Sequence, residues 1–140
     1  ELCTDGSERW AIATASAFDL LRDSPCAEEP KPDWWHDDTL KALSARVLAA
    51  APNSHVTVAM RANVLSGTDP GWEAGPRTAA EVRGAAKLFQ HAATLLTDSP
   101  IERDCIGCAA QLNEMAAPLE AAEAAVRAEE AAIAAAARAD

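Results

Sequence analysis

Amphipathic helical segments with explicit start signals follow one another through most of this chain, from about residue 53 to residue 139. Thr78 and Glu81 have the spacing of a capping box, in which the hydroxyl and the carboxylate each accept a hydrogen bond from the other residue's backbone amide. Ser99 and Glu102 repeat that spacing, and Pro100 between them stands at the first helical position, where a missing N–H is harmless. These signals predict short helices packed side by side.

The composition favours helix over sheet throughout. Only 4% of the 140 residues are aromatic, there is no Tyr, and Ala is far more frequent than the β-branched residues. Ala has the highest helix propensity, whereas strands prefer β-branched and aromatic residues. A chain of this length also suits one domain with its own core. We therefore predict a single all-α domain.

The helix start and stop signals in the sequence predict about six helices. The first spans about residues 8–21 with Ser7 as N-cap, and the second is capped by Asp37 or Asp38 and ends before Pro52. The third starts at Asn53 or Ser54 and ends at a left-handed Gly67. The fourth and fifth begin at the two capping boxes, and Pro118 either kinks the fifth helix or separates it from a sixth that begins at Leu119.

Large apolar residues recur every seven positions near the C-terminus, at Leu112, Leu119, Val126 and Ile133. Met115, Ala122 and Ala136 occupy interleaved positions, so the register is that of a coiled-coil seam. Because Ala fills most other sites, the seam is thin. The last helix either caps the stack or pairs closely with a partner.

The segment from about residue 40 to residue 139 resembles the tetratricopeptide repeat (TPR) family. Residues 40–53, LKALSARVLAAAPN, have the cadence of a second helix followed by the Pro-Asn step of that family. Val58, Ala62 and Leu65 match the large-small-large pattern of the next first helix, and Ala85, Phe89 and Ala92 match the small-large-small pattern of a second helix. The resemblance implies stacked antiparallel helical hairpins, a short solenoid whose curved surface binds a peptide or another subunit.

The resemblance also divides the domain into two parts. We expect residues 1–38 to form an N-terminal helix and a Pro/Trp-rich linker packed on the body. Residues 39–140 would form the TPR-like body with its Ala-rich C-terminal helix.

Charge excludes several classes of partner. The formal net charge is −10 and the isoelectric point is near 4.6, whereas nucleic-acid binding needs clustered Lys and Arg. No apolar run approaches the roughly 20 residues of a membrane span. We expect no nucleic acid and no spanning segment, with peripheral attachment through a protein left open. If the start at Glu1 reflects processing, an organellar lumen or a secretory compartment fits.

Four cysteines offer the main alternative to an interaction protein. Cys105 and Cys108 form one CxxC motif, which suits a redox pair or half a zinc site. However, the motif lies inside a predicted helix, without the neighbouring strand of a thiol-disulfide site or a second closely spaced pair. We therefore predict no metal and no cofactor, and keep a metal-binding or thiol-redox protein as the alternative. In an oxidising compartment we expect Cys3 or Cys26 to bridge to Cys105 or Cys108.

Tryptophans mark two candidate binding positions. Trp72, Glu73 and Arg77 lie in a Gly/Pro loop longer than a helical hairpin needs, and such loops often carry recognition residues. Trp34 and Trp35 precede the second helix. These five residues are our partner-binding hypothesis; the alternative for the tryptophans is packing in the core and against the helix start. A third hypothesis is a small-ligand carrier with an apolar cavity lined by Trp34, Trp35 and Phe89.

No catalytic fingerprint is present, neither a Ser-His-Asp arrangement nor a phosphate-binding or dinucleotide-binding glycine motif. The patterns together predict a non-enzymatic interaction module, an adaptor or an accessory subunit of a larger assembly, whose partner is another protein.

Overall fold

The computed structural model describes residues 4–23, 30–68 and 71–139, which contain helices joined by turns and loops and no strand. Five helices follow one another: α1 spans Glu8–Arg22, α2 Asp37–Ala50, α3 His55–Ser66, α4 Ala79–Leu95 and α5 Pro100–Ala139. The prediction of an all-α fold is confirmed for this part of the chain.

The described residues form five helices where about six were expected, because α5 continues through Pro118 for 40 residues. Proline lacks the N–H that would bond to the carbonyl of Glu114. Pro118 and Glu114 are both exposed, so water can satisfy that carbonyl. The predicted break before Leu119 is therefore not seen, and the C-terminal region is one long rod.

Each helix packs against the helix before it, and α1 also packs against α3. Two clusters of buried side chains result. One joins α3, α4 and α5 around Val58, Val82 and Phe89, and the other joins α1, α2 and α3 around Phe18, Leu40 and Met60. Helix α3 supplies both clusters from opposite sides, so it forms the centre of the domain.

Three local signals are confirmed. The Ser7 hydroxyl accepts from the Trp10 amide at 3.0 Å and caps α1. Thr78 and Glu81 form the reciprocal capping box of α4, with both backbone amides paired to the opposite side chain. Gly67 ends α3 with a left-handed φ of 64°. Each signal involves residues at most three positions apart, which explains why the sequence alone reveals it.

Two predicted helix starts need correction. The carboxylate of Glu102 accepts from the amide of Asp98 instead of Ser99, whose amide bonds to the Leu96 carbonyl. At α2 the N-cap position belongs to His36, which makes no side-chain capping bond, so neither Asp37 nor Asp38 is the cap. Asp37 is instead the first helical residue.

None of the helices in the described ranges combines the length and the hydropathy that crossing a membrane requires.

Candidate interaction surface

The loop after α3 is held against the body by its tryptophan. Trp72 is 9% exposed, and its ring centroid lies 5.9 Å from those of both Phe18 and Trp35. The indole N–H of Trp72 donates to Oδ1 of Asp37 at 3.0 Å, and that of Trp35 donates to the Gly71 carbonyl at 2.7 Å. Each buried indole therefore has its polar atom satisfied, as a packed tryptophan requires.

An ion pair between Arg77 and Asp37 fixes the other end of this loop. The Arg77 Nη atoms donate to the two Asp37 carboxylate oxygens at 2.5 and 2.8 Å, and Nη2 also donates to the Val64 carbonyl at 2.9 Å. The Gly75 amide donates to the same carboxylate at 3.1 Å. These donors, the Arg77 guanidinium above all, lower the pKa of Asp37 far below its ordinary value despite its partial burial.

These contacts locate the predicted partner-binding residues. Trp72 and Trp35 are buried, and the Arg77 side chain is 5% exposed. Glu73 is exposed, while Trp34 is half-buried with its ring centroid 5.6 Å from that of Trp35. The contacts within the chain account for the three buried side chains, and partner binding by this group stays a prediction.

The small-ligand cavity expected between Trp34, Trp35 and Phe89 is not formed. Trp34 borders a depression between α1 and α2, beside Trp10 and Leu43. Phe89 lies in the other core, where it borders a groove on α3 and α5. Trp34 and Phe89 thus line separate cavities.

The two cysteines of the CxxC motif differ in environment. Cys105 is buried in the core and its pKa is raised, mainly by burial, whereas Cys108 is exposed. Both are free thiols, and Cys3 and Cys26 lie outside the described residues, so the proposed bridge stays a prediction. Across the described ranges, no three His, Cys, Asp or Glu side chains are grouped closely enough to hold a metal ion.

The seven-residue seam of α5 is partnered only in its first half. Leu112 is buried against α4 and Leu119 is partly buried there. Further along, Arg83 pairs with Glu120, and the Glu123 carboxylate accepts from the amide of Ala79 at 2.8 Å. Because Ala79 is the first residue of α4, the rod passes the end of α4 at this point.

Beyond Glu123 the rod projects from the body. All residues from 124 to 139 are exposed, a stretch of about 24 Å at 1.5 Å per residue. Val126 and Ile133 remain 54% and 63% exposed although they continue the seam that α4 covers at Leu112. The projecting segment therefore presents large apolar side chains that no other described helix covers.

A line of exposed apolar residues extends from this segment back along the rod. Ile101, Cys108, Met115 and Ala122 are each seven residues apart, and all four are exposed. Residues seven apart on an α-helix differ in direction by only about 20°, and Val126 lies about 40° from Ala122. Together with Ile133 these residues form one continuous α5 stripe, about 48 Å long from Ile101 to Ile133.

A groove flanks the first half of the α5 stripe. Two depressions, with volumes of about 400 and 140 Å³, share Asn63, Phe89 and Cys108. Both are lined by residues of α3 and α5 and by Phe89 of α4, and Phe18 of α1 and Ile101 also line the larger one.

Sequence reasoning identified only part of the α5 stripe. The seam of Leu112, Leu119, Val126 and Ile133 was visible, but its first two members serve the core. The seven-residue spacing of Ile101, Cys108, Met115 and Ala122 is also readable in the sequence. Pro118 concealed it, because a helix break there would have placed the two halves of the line on different rods.

Comparison with known proteins adds no family to this description: no protein-family model, characterised protein or solved structure matches the chain.

Proposed function

We propose that the chain is a non-enzymatic interaction module, an adaptor or accessory subunit, which binds another protein along α5. The observation that carries this proposal is the projecting segment, residues 124–139, which exposes Val126 and Ile133. Apolar residues at heptad spacing normally face a neighbouring helix. The same seam is already used in this way at Leu112, where α4 is the neighbour.

Alanine in the projecting segment favours close docking. Ten of its sixteen residues are Ala, and the other six are Val126, Arg127, Glu129, Glu130, Ile133 and Arg138. Small side chains let two helices approach to the short end of the usual 8–10 Å range. The high helix propensity of Ala also keeps the rod folded while it is unpartnered. The segment is therefore already helical before it binds a partner helix.

The resemblance to the TPR family belongs to this proposal. Each helix packs on the helix before it, which supports a stack of helical hairpins of the kind that the resemblance implies. In that arrangement the groove over Phe89 would be part of the binding surface and the α5 stripe its edge.

Comparative affinity capture tests the proposal. The full chain, a Val126→Ser/Ile133→Ser variant and an Ala128→Ser/Ala135→Ser control serve as bait with extract from the native source. The control residues point away from the α5 stripe, because they lie about 160–180° from Val126 around the helix. Circular dichroism confirms that all three baits are equally helical.

We expect one stoichiometric protein to be retained by the wild type and the control and lost by the stripe variant. Recovery of the same proteins on all three baits would contradict the proposal. Stoichiometric zinc in the purified protein would instead favour a metal-binding protein that uses Cys105 and Cys108.

A further inference from the structure

The charges beside the α5 stripe carry information about its partner. Glu129 and Glu130 lie between Val126 and Ile133 along the rod, each three or four residues from both. On a helix this spacing places one glutamate on each side of the line that joins the two apolar residues. Both carboxylates are exposed. The open half of the stripe is therefore bordered by negative charge on two sides.

The positive charges of the same segment point elsewhere. Arg127 is one residue from Val126, which turns it about 100° away, and Arg138 lies about 140° from Ile133. Closer to the body, Glu123 lies about 60° from Val126, and Asp104 borders the groove beside Cys108. Acidic groups thus border the open half of the stripe, while the basic ones of the projecting segment lie off its edges. The groove over Phe89 is of mixed charge, since Asp19, Arg22 and Asp104 line it.

This pattern disfavours a second copy of the chain as the occupant. In a parallel pair, each edge of one helix faces the opposite edge of the other, so Glu129 of one copy would face Glu130 of the other. In an antiparallel pair with Val126 opposite Ile133, like edges face each other, so Glu129 of one copy would face Glu129 of the other, and Glu130 would face Glu130. Like charges in such positions destabilise a helix pair. The net charge of −10 adds to the repulsion between copies.

We propose that the α5 stripe binds an amphipathic helix of another protein whose apolar face is flanked by Lys or Arg. This inference rests on the proposed function and specifies the partner of the same surface. Apolar residues of the partner at positions i, i+3, i+4 and i+7 would pack on Val126 and Ile133. Its basic flanks would pair with Glu129 and Glu130, which fixes register and orientation.

Two synthetic peptides of identical length and apolar face test the inference on the full chain. One carries Lys on both flanks and the other carries Glu, and circular dichroism is used to match their helicity. Fluorescence anisotropy measures each affinity for the wild type and for a Glu129→Lys/Glu130→Lys variant. The exposed, projecting position of both glutamates lets the variant keep its fold, which thermal unfolding verifies.

We expect the wild type to bind the Lys peptide about tenfold more tightly than the Glu peptide, since two or three exposed pairs change from attraction to repulsion. The charge-reversed variant should prefer the Glu peptide. Raising the salt concentration from about 50 mM to about 500 mM should reduce the preference of both proteins. As a specificity control, the Val126→Ser/Ile133→Ser variant should bind both peptides more weakly, and by a similar factor.

Equal affinity for the two peptides, or binding of neither, would overturn the inference. So would dimerisation of the full chain in sedimentation equilibrium that Val126→Ser/Ile133→Ser abolishes, because the occupant would then be a second copy. If the stripe variant loses its captured partner while the peptides bind equally, the proposed function stands and only the basic partner is excluded. If the stripe variant keeps every captured protein, the proposed function itself fails.

Discussion

Arg77 and Asp37, forty residues apart in the chain, form a two-point ion pair with N–O distances of 2.5 and 2.8 Å. The pair joins the end of the long loop to the first turn of α2. The Arg77 side chain is 5% exposed and that of Asp37 is 15% exposed. Bidentate geometry and limited solvent access make this the ion pair with the greatest expected effect on stability among the described residues.

Replacing Asp37 by Asn should destabilise the protein by about 3 kcal/mol at neutral pH, because Arg77 would be left buried without its counter-charge. The pKa of Asp37 is lowered in the folded state, so this contribution is present above the ordinary aspartate pKa of about 3.9 and is lost as the pH falls further. Urea unfolding between about pH 3 and pH 7 measures it.

The difference between wild type and Asp37→Asn should therefore be constant near neutral pH and shrink below about pH 4. Asp38→Asn is the matched control, since Asp38 is exposed in the same helical turn. An equal loss of stability in both variants would show that the helix dipole, and not the pair with Arg77, is responsible.

Changing Trp72 to Ala should lower the free energy of unfolding by about 3–4 kcal/mol and the melting temperature by about 10 °C or more. The reason is the loss of ring contacts with Phe18 and Trp35 together with the loss of the indole hydrogen bond to Asp37. Differential scanning calorimetry measures the change. Glu73→Ala, an exposed position in the same loop, should leave the melting temperature unchanged. If Trp72→Ala kept its stability but no longer bound a partner, the result would indicate that this loop functions in partner recognition.

Two glycine-to-alanine substitutions should have effects of opposite sign. Gly67 has a φ of +64°, and a Cβ there would lie 2.8 Å from Cγ of Arg77, so Gly67→Ala should destabilise by about 1–2 kcal/mol. A Cβ on Gly107 in α5 would meet nothing within 4 Å. Gly107→Ala should therefore stabilise the helix by about 0.5–1 kcal/mol. Chemical denaturation of both variants checks the pair, and a destabilising Gly107→Ala would contradict the open surface at this turn of α5.

Alkylation of the native protein should distinguish the two thiols. Cys108 is exposed, whereas burial both shields Cys105 and raises its pKa, so iodoacetamide at about pH 8 should modify Cys108 at least about tenfold faster. Mass spectrometry without reduction gives the sites and also tests a bridge from Cys3 or Cys26. Equal labelling of both thiols would indicate that α5 opens at its first turns.

The predictable parts of the fold are those that depend on contacts between residues close together in the sequence. Ser7 caps α1, and Thr78 pairs with Glu81, because each bonds within one helical turn. The parts that were not predictable involve distant residues. No residue near Asp37 in the sequence indicates that its carboxylate pairs with Arg77 instead of capping the N-terminus of α2. The loop sequence likewise does not determine whether Trp72 packs against the core.

Prediction of the α5 stripe from the sequence was incomplete for a related reason. The heptad pattern from Leu112 to Val126 is continuous in the sequence. In the structure, α4 begins at Ala79, beside Glu123, so α4 covers Leu112 and leaves Val126 exposed. Pro118 could equally have ended the helix, since the backbone cost of an internal proline depends on whether water reaches the freed carbonyl.

Helix α3 contributes Val58 and Ala62 to one core and Met60 and Val64 to the other. Neither half of the domain can lose its apolar interior without exposing one side of this shared helix. We therefore expect thermal unfolding to be a single cooperative transition, in which near-ultraviolet and far-ultraviolet signals change together. By the same reasoning, dividing the chain between α2 and α4 would yield two fragments that do not fold separately.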